Sequence, residues 1–297
     1  MNTGVRKMSE HYRLAAYINL DAIGHNIREI RKRIEPKTQL LAIVKADAYG
    51  HGSLEVSRVC LYNGANQLGI ATCDEGIALR QASITVPMLI LGNTVDSQLK
   101  DVVDYRLTQA VFDFELAQKL SDTAVMYNKT ALVHIKVDSG MGRIGFEPTE
   151  ESLDIIDKIF ALPGIQVTGV FTHFATADEK NKDFTMEQYK KFRFITDGIE
   201  ARGHKGLIRH CANSGAILDC PELQLDMVRS GIITYGMFPS DEVSTDINLE
   251  PAMEWKSQVS YVKTVDEGVS IGYGRTYFTD KKTKVATIPV GYADGYS

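Results

Sequence analysis

Short apolar runs recur along most of the chain, and stretches with apolar positions at helical spacing lie between them. The runs fall near residues 39–45, 67–71, 87–92, 108–112, 131–137, 165–173, 207–211 and 224–229. "FELAQKLSDTAVMYN", "TEESLDIIDKIFAL" and "TMEQYKKFRFITDGIEARG" are examples of the intervening amphipathic pattern. A short strand ("LAAYINL") and an amphipathic helix ("DAIGHNIREIRKRI") precede the first run. Apolar strands alternating with helices predict a parallel sheet, because such a sheet is covered on both faces. Eight units in about 230 residues match the count and length of a (β/α)8 TIM-type barrel. A doubly wound open sheet is the rival architecture.

The pattern changes after Phe238. "PSDEVSTDINLEP" is polar, has proline near both ends and reads as a linker. "AMEWKSQVSYVKTV" and "TKVATIPVGY" are β-rich with no helix between them. The chain therefore divides into an N-terminal extension (1–11), a barrel (12–240) and a mainly-β C-terminal domain (241–297). Some fifty residues with few strand signals are too few for an independent core. The second domain is accordingly expected to be incomplete within this chain.

Composition narrows the function classes. A net charge of −5 gives no basic face for nucleic acid. Cys60, Cys73, Cys211 and Cys220 form neither a CxxC pair nor a metal-ligand spacing, so they read as reduced core thiols and no metal is expected. The opening residues lack the apolar segment of a signal peptide, and no run reaches membrane-spanning length. A cytoplasmic protein with no membrane partner is the expectation.

Barrel geometry then ranks the polar residues. Side chains alternate in and out along each strand, and active sites sit at the C-terminal strand ends. Leu41, Ile43 and Lys45 share one parity; His173 has the same relation to Val167, Gly169 and Phe171, and Arg229 to Leu225 and Met227. Three strands thus end in Lys, His and Arg on one rim. In "ALVHIKVDSGMGRIGF" the inward set is His134, Lys136 and Asp138, and an unpaired inward lysine is costly. Lys136 must meet a carboxylate or lose its charge chemically. The following turn delivers Arg143, whose planar fork suits carboxylate or phenolate oxygen; a barrel-floor ion pair plus a surface arginine is the bland alternative. Phosphate sites in such barrels follow strands seven and eight, where "ANSGA" and "RSGI" offer Asn213, Ser214, Ser230, Gly231 and Ile232. A lysine near a phosphate cradle fits Schiff-base chemistry with a phosphorylated aldehyde, and pyridoxal 5'-phosphate is the common cofactor of that type.

"AIVKADAYGHG", "KVDSGMGRIG", "FTHFATADE", "CANSGA", "VRSGI", "SIGYGRTY" and "IPVGYADGY" together resemble the alanine racemase family, in the family's order and over nearly the whole chain. The resemblance implies the barrel, an extended β domain and a head-to-tail homodimer. It also implies that Lys45 holds pyridoxal phosphate and acts as one of two bases. Tyr273 would be the second base, entering from the partner subunit on the opposite face. Tyr49, Ser214, Gly231 and Ile232 match phosphate contacts, and Tyr292 a hydroxyl contact there. Arg229 matches the partner of the pyridine nitrogen, and His173 the residue linking Arg229 to Tyr273. Arg143 matches the group that holds the phenolic oxygen and the substrate carboxylate. Lys136 matches a lysine carbamylated in many members.

The implied reaction is L- to D-alanine racemisation supplying peptidoglycan. Alternatives are a serine or broad-specificity racemase of the same family, a barrel decarboxylase of basic amino acids, and a non-catalytic pyridoxal-phosphate carrier. A decarboxylase usually meets the pyridine nitrogen with an acid, which Arg229 opposes. A carrier needs neither Tyr273 nor a second domain.

Overall fold

The computed structural model describes residues 12–296, and the extension predicted for 1–11 lies outside them. Strand β1 (Leu14–Ile18) leads into a helix, Leu20–Arg33, whose Asp21 and Ala22 N–H groups donate to the Asn19 side chain at 3.0 and 3.1 Å. Eight parallel strands then take up the predicted apolar runs. They are β2 (Gln39–Ile43), β3 (Gln67–Ile70), β4 (Met88–Ile90), β5 (Thr108–Val111), β6 (Ala131–Lys136), β7 (Ile165–Phe171), β8 (Ile208–His210) and β9 (Met227–Ser230).

The ladder runs β8-β7-β6-β5-β4-β3-β2-β9, so first and last strands are neighbours around a ring. Asp226 N–H donates to the Arg209 carbonyl at 3.2 Å, and Arg229 N–H to the Ala212 carbonyl at 3.0 Å. These bonds bridge the seam between β8 and β9. A barrel, not an open sheet, results.

Two apolar layers follow from the strand parity. Leu41, Ile43, Leu89, Ala110, Phe171 and Met227 fill the inside. The opposite parity, including Leu40, Ala42, Val133 and Ile135, packs outward against the helices. The predicted inward face is the observed one for Leu41, Ile43, Phe171 and Met227, whereas Val167 and Leu225 pack outward. The β6–β7 pairing skips Thr168, and Leu225 (φ 49°) lies before β9 begins. The inward face is what carries the chain's polar strand ends to the barrel mouth.

The segment read as a linker is part of the barrel unit. Val243 and Ile247 are buried in its outer core. Asn26, on the first helix, donates to the Glu250 carbonyl at 2.8 Å and accepts from Glu250 N–H at 2.8 Å. Two apolar anchors four residues apart and a side-chain clamp hold a sequence that looks polar overall.

The chain separates into two compact units, Asn19–Ala252 and a second made of residues up to Ile18 together with Met253–Ser297. β1 pairs antiparallel with β10 (Met253–Ser257), which takes the first strand out of the barrel domain assigned to 12–240. β11 (Tyr261–Val265) pairs with β14 (Thr283–Thr287), and β12 (Ser270–Ile271) with β13 (Tyr277–Phe278). No described helix is long and apolar enough to cross a membrane.

Candidate active site

Beyond β2 the backbone turns the wrong way for L-amino acids. Ala46, Asp47, Ala48 and Tyr49 have φ of 52, 51, 53 and 54°. Left-handed helical geometry costs roughly 1–2 kcal/mol per non-glycine residue, so neighbours must hold it. Glu75 accepts from Ala46 N–H and, with its other oxygen, from Ala71 N–H, both at 2.7 Å. Asp47 accepts from Ser53 N–H at 2.7 Å, and Ala48 N–H donates to the Val44 carbonyl at 2.9 Å. The turn brings Lys45 and Tyr49 to one cavity. Nothing in the sequence announced its hand, since the residues that adopt it are not glycine.

That cavity, about 620 Å³, is lined by Lys45, Tyr49, Lys136, Arg143, His173, Asn213, Ser214, Arg229, Gly231 and Ile232. These predicted residues come from five separate strand ends, those of β2, β6, β7, β8 and β9. Tyr273 and Tyr292 belong to the other unit, are 97% and 87% exposed, and do not line it. Ser230 is also outside the lining; its hydroxyl pairs with that of Thr234 at 2.5 Å.

The cations in the cavity differ in how they are held. The Lys45 ammonium makes no hydrogen bond or ion pair with any described residue. Burial and the nearby Arg143 charge push its pKa below the usual lysine value, with Glu75 opposing. Lys136 is 2% exposed, and its Nζ donates to the Val137 carbonyl at 2.6 Å. Among the described residues no carboxylate reaches ion-pair distance of it, which rules out the floor ion pair. Burial, with repulsion from Arg229, brings its pKa down to about 7. Arg143 is exposed on a turn shaped by Asp138, whose carboxylate accepts from Gly140, Gly142 and Arg143 N–H groups at 3.0, 3.0 and 2.9 Å.

Arg229, 4% exposed, is held by neutral acceptors. Its Nη1 donates to His210 Nδ1 at 3.0 Å. Its Nη2 faces the Thr172 carbonyl (2.8 Å), the Cys211 carbonyl (3.0 Å) and His173 Nδ1 (3.2 Å). A guanidinium only donates, so both imidazoles present a bare Nδ1 and carry their proton on Nε2. His210 Nε2 then donates to His134 Nδ1 at 3.0 Å. Burial, reinforced by the Arg229 charge, lowers His173 and His134 to about 3 and keeps them neutral. Arg229 itself falls to about 10 and stays protonated at neutral pH. Phe171 lies parallel to His210, with centroids 4.8 Å apart and 7° between planes. Sequence reasoning placed His134 inward but missed His210; its signal was a second inward histidine on the neighbouring side of β7.

On the other side of the cavity Gly231 N–H donates to the Ser214 hydroxyl at 3.1 Å. Asn213 caps the helix Ser214–Asp219, accepting from Ala216 N–H at 3.1 Å. A Cβ built on Gly231 would lie 3.5 Å from Ser214 Oγ and 3.6 Å from the Tyr49 hydroxyl, so glycine leaves the space between them open. Burial raises the Tyr49 pKa, which keeps it a neutral donor.

This donor set fits pyridoxal phosphate. A free amine can reach an aldehyde, hydroxyls and a backbone N–H can hold a phosphate, and a buried guanidinium faces the inner end. The volume suits a ligand of that size.

Comparison with known proteins agrees. The profile for "Alanine racemase, N-terminal domain" matches residues 18–239, and that for "Alanine racemase, C-terminal domain" matches 252–297. An alanine racemase from Desulforamulus reducens is 48% identical over 282 residues, covering 95% of this chain and 76% of its own length. One from Clostridium perfringens is 47% identical over 283 residues, covering 95% and 73%. The solved structure of the Clostridium difficile alanine racemase superposes with a TM-score of 0.91 at 43% identity, over 97% of this chain and 75% of that one. The chain belongs to the alanine racemase family.

Proposed function

We propose that this protein interconverts L- and D-alanine, using pyridoxal 5'-phosphate attached to Lys45 and two bases, Lys45 and Tyr273, on opposite faces of the substrate. The observation that carries the reading is the unpaired Lys45 amine, half-buried, in a cavity shared with Arg229 and the Ser214–Gly231–Tyr49 cradle. When bound, the cofactor supplies an aldehyde for amines and a ring that spreads the negative charge left at Cα.

The chain's residues supply the rest. Lys45 has a lowered pKa, which makes its amine a more available proton acceptor near neutral pH. Arg229, fixed by His210 and His173, keeps its protons and so holds the inner end of the ring without donating one. Arg143 offers a fork for the substrate carboxylate. Lys136, half-neutral near pH 7, is a site for carbamylation, which would give Arg143 an anionic neighbour. Tyr49, Ser214, Gly231 and Ile232 take the phosphate, with Asn213 shaping that corner and Tyr292 adding a hydroxyl.

Tyr273 is exposed, and as second base it serves a neighbouring copy; the working unit is a homodimer. The four cysteines are free and buried, which supports a reducing, cytoplasmic setting. The D-alanine formed would feed cell-wall peptidoglycan. Chiral analysis of L-alanine incubated with protein and cofactor tests the reading: D-alanine must accumulate to an equal mixture, and Lys45→Ala must abolish it.

A further inference from the structure

The left-handed turn after Lys45 is gripped from inside by two buried rings. His51 is 7% exposed, and its Nδ1 faces the Ala48 carbonyl at 3.0 Å and the Tyr49 carbonyl at 3.2 Å. Carbonyls only accept, so Nδ1 carries the proton. The His51 ring packs on Tyr235 with centroids 4.5 Å apart, and Tyr235 packs on Tyr49 at 5.1 Å. Tyr235, 1% exposed, donates its hydroxyl to the Ile43 carbonyl at 2.6 Å, two residues before Lys45.

One ring pair therefore ties the strand entering the turn and the carbonyls leaving it. His51 Nε2 is buried with no partner among the described residues. An imidazole kept at a site where one nitrogen goes unpaired is there for its Nδ1–H and its ring face.

We infer that His51 and Tyr235 are positioning residues that fix the separation between the Lys45 amine and the Tyr49 hydroxyl, and thereby set how strongly the site prefers a phosphorylated aldehyde over its unphosphorylated form. Both ends of such a ligand must be engaged at once, one by Lys45 and the other by the cradle. A loosened turn leaves the amine free to meet an aldehyde but puts Tyr49 out of register with the phosphate. Affinity for pyridoxal phosphate falls and affinity for pyridoxal does not. General destabilisation would weaken both alike.

The inference rests on the roles proposed above for Lys45 and Tyr49, and its test separates the two. The full chain and three variants are titrated with pyridoxal phosphate and with pyridoxal, following the absorbance of the bound aldehyde. Hydrogen exchange of residues 44–53 is measured in parallel. His51→Phe keeps a ring but loses the tie to the carbonyls. Tyr235→Phe loses the tie to Ile43. His51→Asn retains a donor in place of Nδ1 and removes the unpaired nitrogen.

His51→Phe and Tyr235→Phe should each weaken pyridoxal phosphate about tenfold, the scale of one lost buried hydrogen bond. Pyridoxal should change less than about twofold, and exchange should rise in 44–53 only. His51→Asn should bind the phosphate form within about threefold of the parent. Equal weakening of both aldehydes or unchanged affinities in the two phenylalanine variants, or exchange rising across the whole chain, would overturn the inference. If His51→Phe does not fold, Tyr235→Phe decides it by the same ratio. A parent chain that captures no pyridoxal phosphate on Lys45 would instead overturn the proposed function.

Discussion

Arg229 Nη2 donates to His173 Nδ1 at 3.2 Å, while the same guanidinium is held from behind by His210 Nδ1 at 3.0 Å. Together with two backbone carbonyls these imidazoles replace the carboxylate that usually accompanies a buried arginine. The charge is satisfied entirely by neutral acceptors. Among the described residues no carboxylate pairs with this guanidinium, so under the proposed function no acid would stand beside it to pass a proton to a bound ring.

Arg229→Lys should be poorly tolerated, because one ammonium cannot serve two imidazoles and two carbonyls in the guanidinium's planar fork. Leaving buried acceptors unpaired costs about 1–3 kcal/mol each, so a stability loss of about 2 kcal/mol or more is expected, with kcat reduced at least about tenfold. Urea denaturation and steady-state kinetics check both. Arg229→Glu puts a protonatable group at the same place and should raise transamination relative to racemisation; an unchanged ratio of keto acid to D-alanine would contradict the role given to Arg229.

Acid should destabilise the barrel through its buried imidazoles. His134, lowered to about 3, and His210, lowered well below the usual value, are neutral in the fold but gain protons near pH 6.5 once unfolded. The unfolded chain then binds more protons, so stability rises with pH in this range. It is at its full value above about pH 6.5 and is lost as pH falls toward 3, by about 1.4 kcal/mol per pH unit for each imidazole. Urea midpoints should hold between pH 7.5 and about 6.5 and fall from there toward pH 5; a profile flat down to pH 5 would show that these rings are not buried neutral.

Gly169→Ala should disrupt the barrel interior. A Cβ there would come within 2.6–2.8 Å of the His134 ring. The ladder is irregular at this point, with the pairing of β6 and β7 shifting between Val133 and His134. Displacing the ring breaks its contact with His210, and overpacking of this kind costs about 1–3 kcal/mol. A lowered melting temperature and reduced kcat are the expected outcome. Full activity and stability would show that His134 can move aside freely.

Much of this architecture was legible in the sequence because its signals are short-range. The inward parity of Leu41–Ile43–Lys45 and of Phe171–His173 follows from strand periodicity, but Val167, read as inward, packs outward because the pairing of β6 and β7 skips Thr168. Four features were not legible. Four consecutive non-glycine residues with positive φ depend on tertiary ties from Glu75, His51 and Tyr235, which no local preference encodes. The segment 239–251 looks polar, yet Val243, Ile247 and the Asn26–Glu250 clamp fasten it to the barrel. β1 looked like the start of the barrel because proximity in sequence suggested it, but its partner is β10. His210 was passed over for the same reason as the turn, since its partners Arg229 and His134 are distant in sequence.

Lys136 should carry a carbamate. Its pKa near 7 leaves a large fraction of neutral amine, the form that adds carbon dioxide, and no described carboxylate occupies its surroundings at ion-pair distance. Incubation with 13C-bicarbonate should give a carbonyl resonance that is absent in Lys136→Ala. The same signal in both proteins, or in neither, would show that Lys136 keeps its amine.

The central claim is that one base stands on each face of the substrate, Lys45 from the barrel and Tyr273 from the second unit of a neighbouring copy. Its most direct test is incubation of L-alanine and, separately, D-alanine in heavy water with protein and pyridoxal phosphate. The loss of the Cα proton is followed by NMR and product configuration by chiral chromatography. Two bases predict that deuterium enters as configuration inverts from either enantiomer, and that Tyr273→Phe largely removes inversion while leaving exchange into one enantiomer. Inversion at an undiminished rate in Tyr273→Phe would contradict the account.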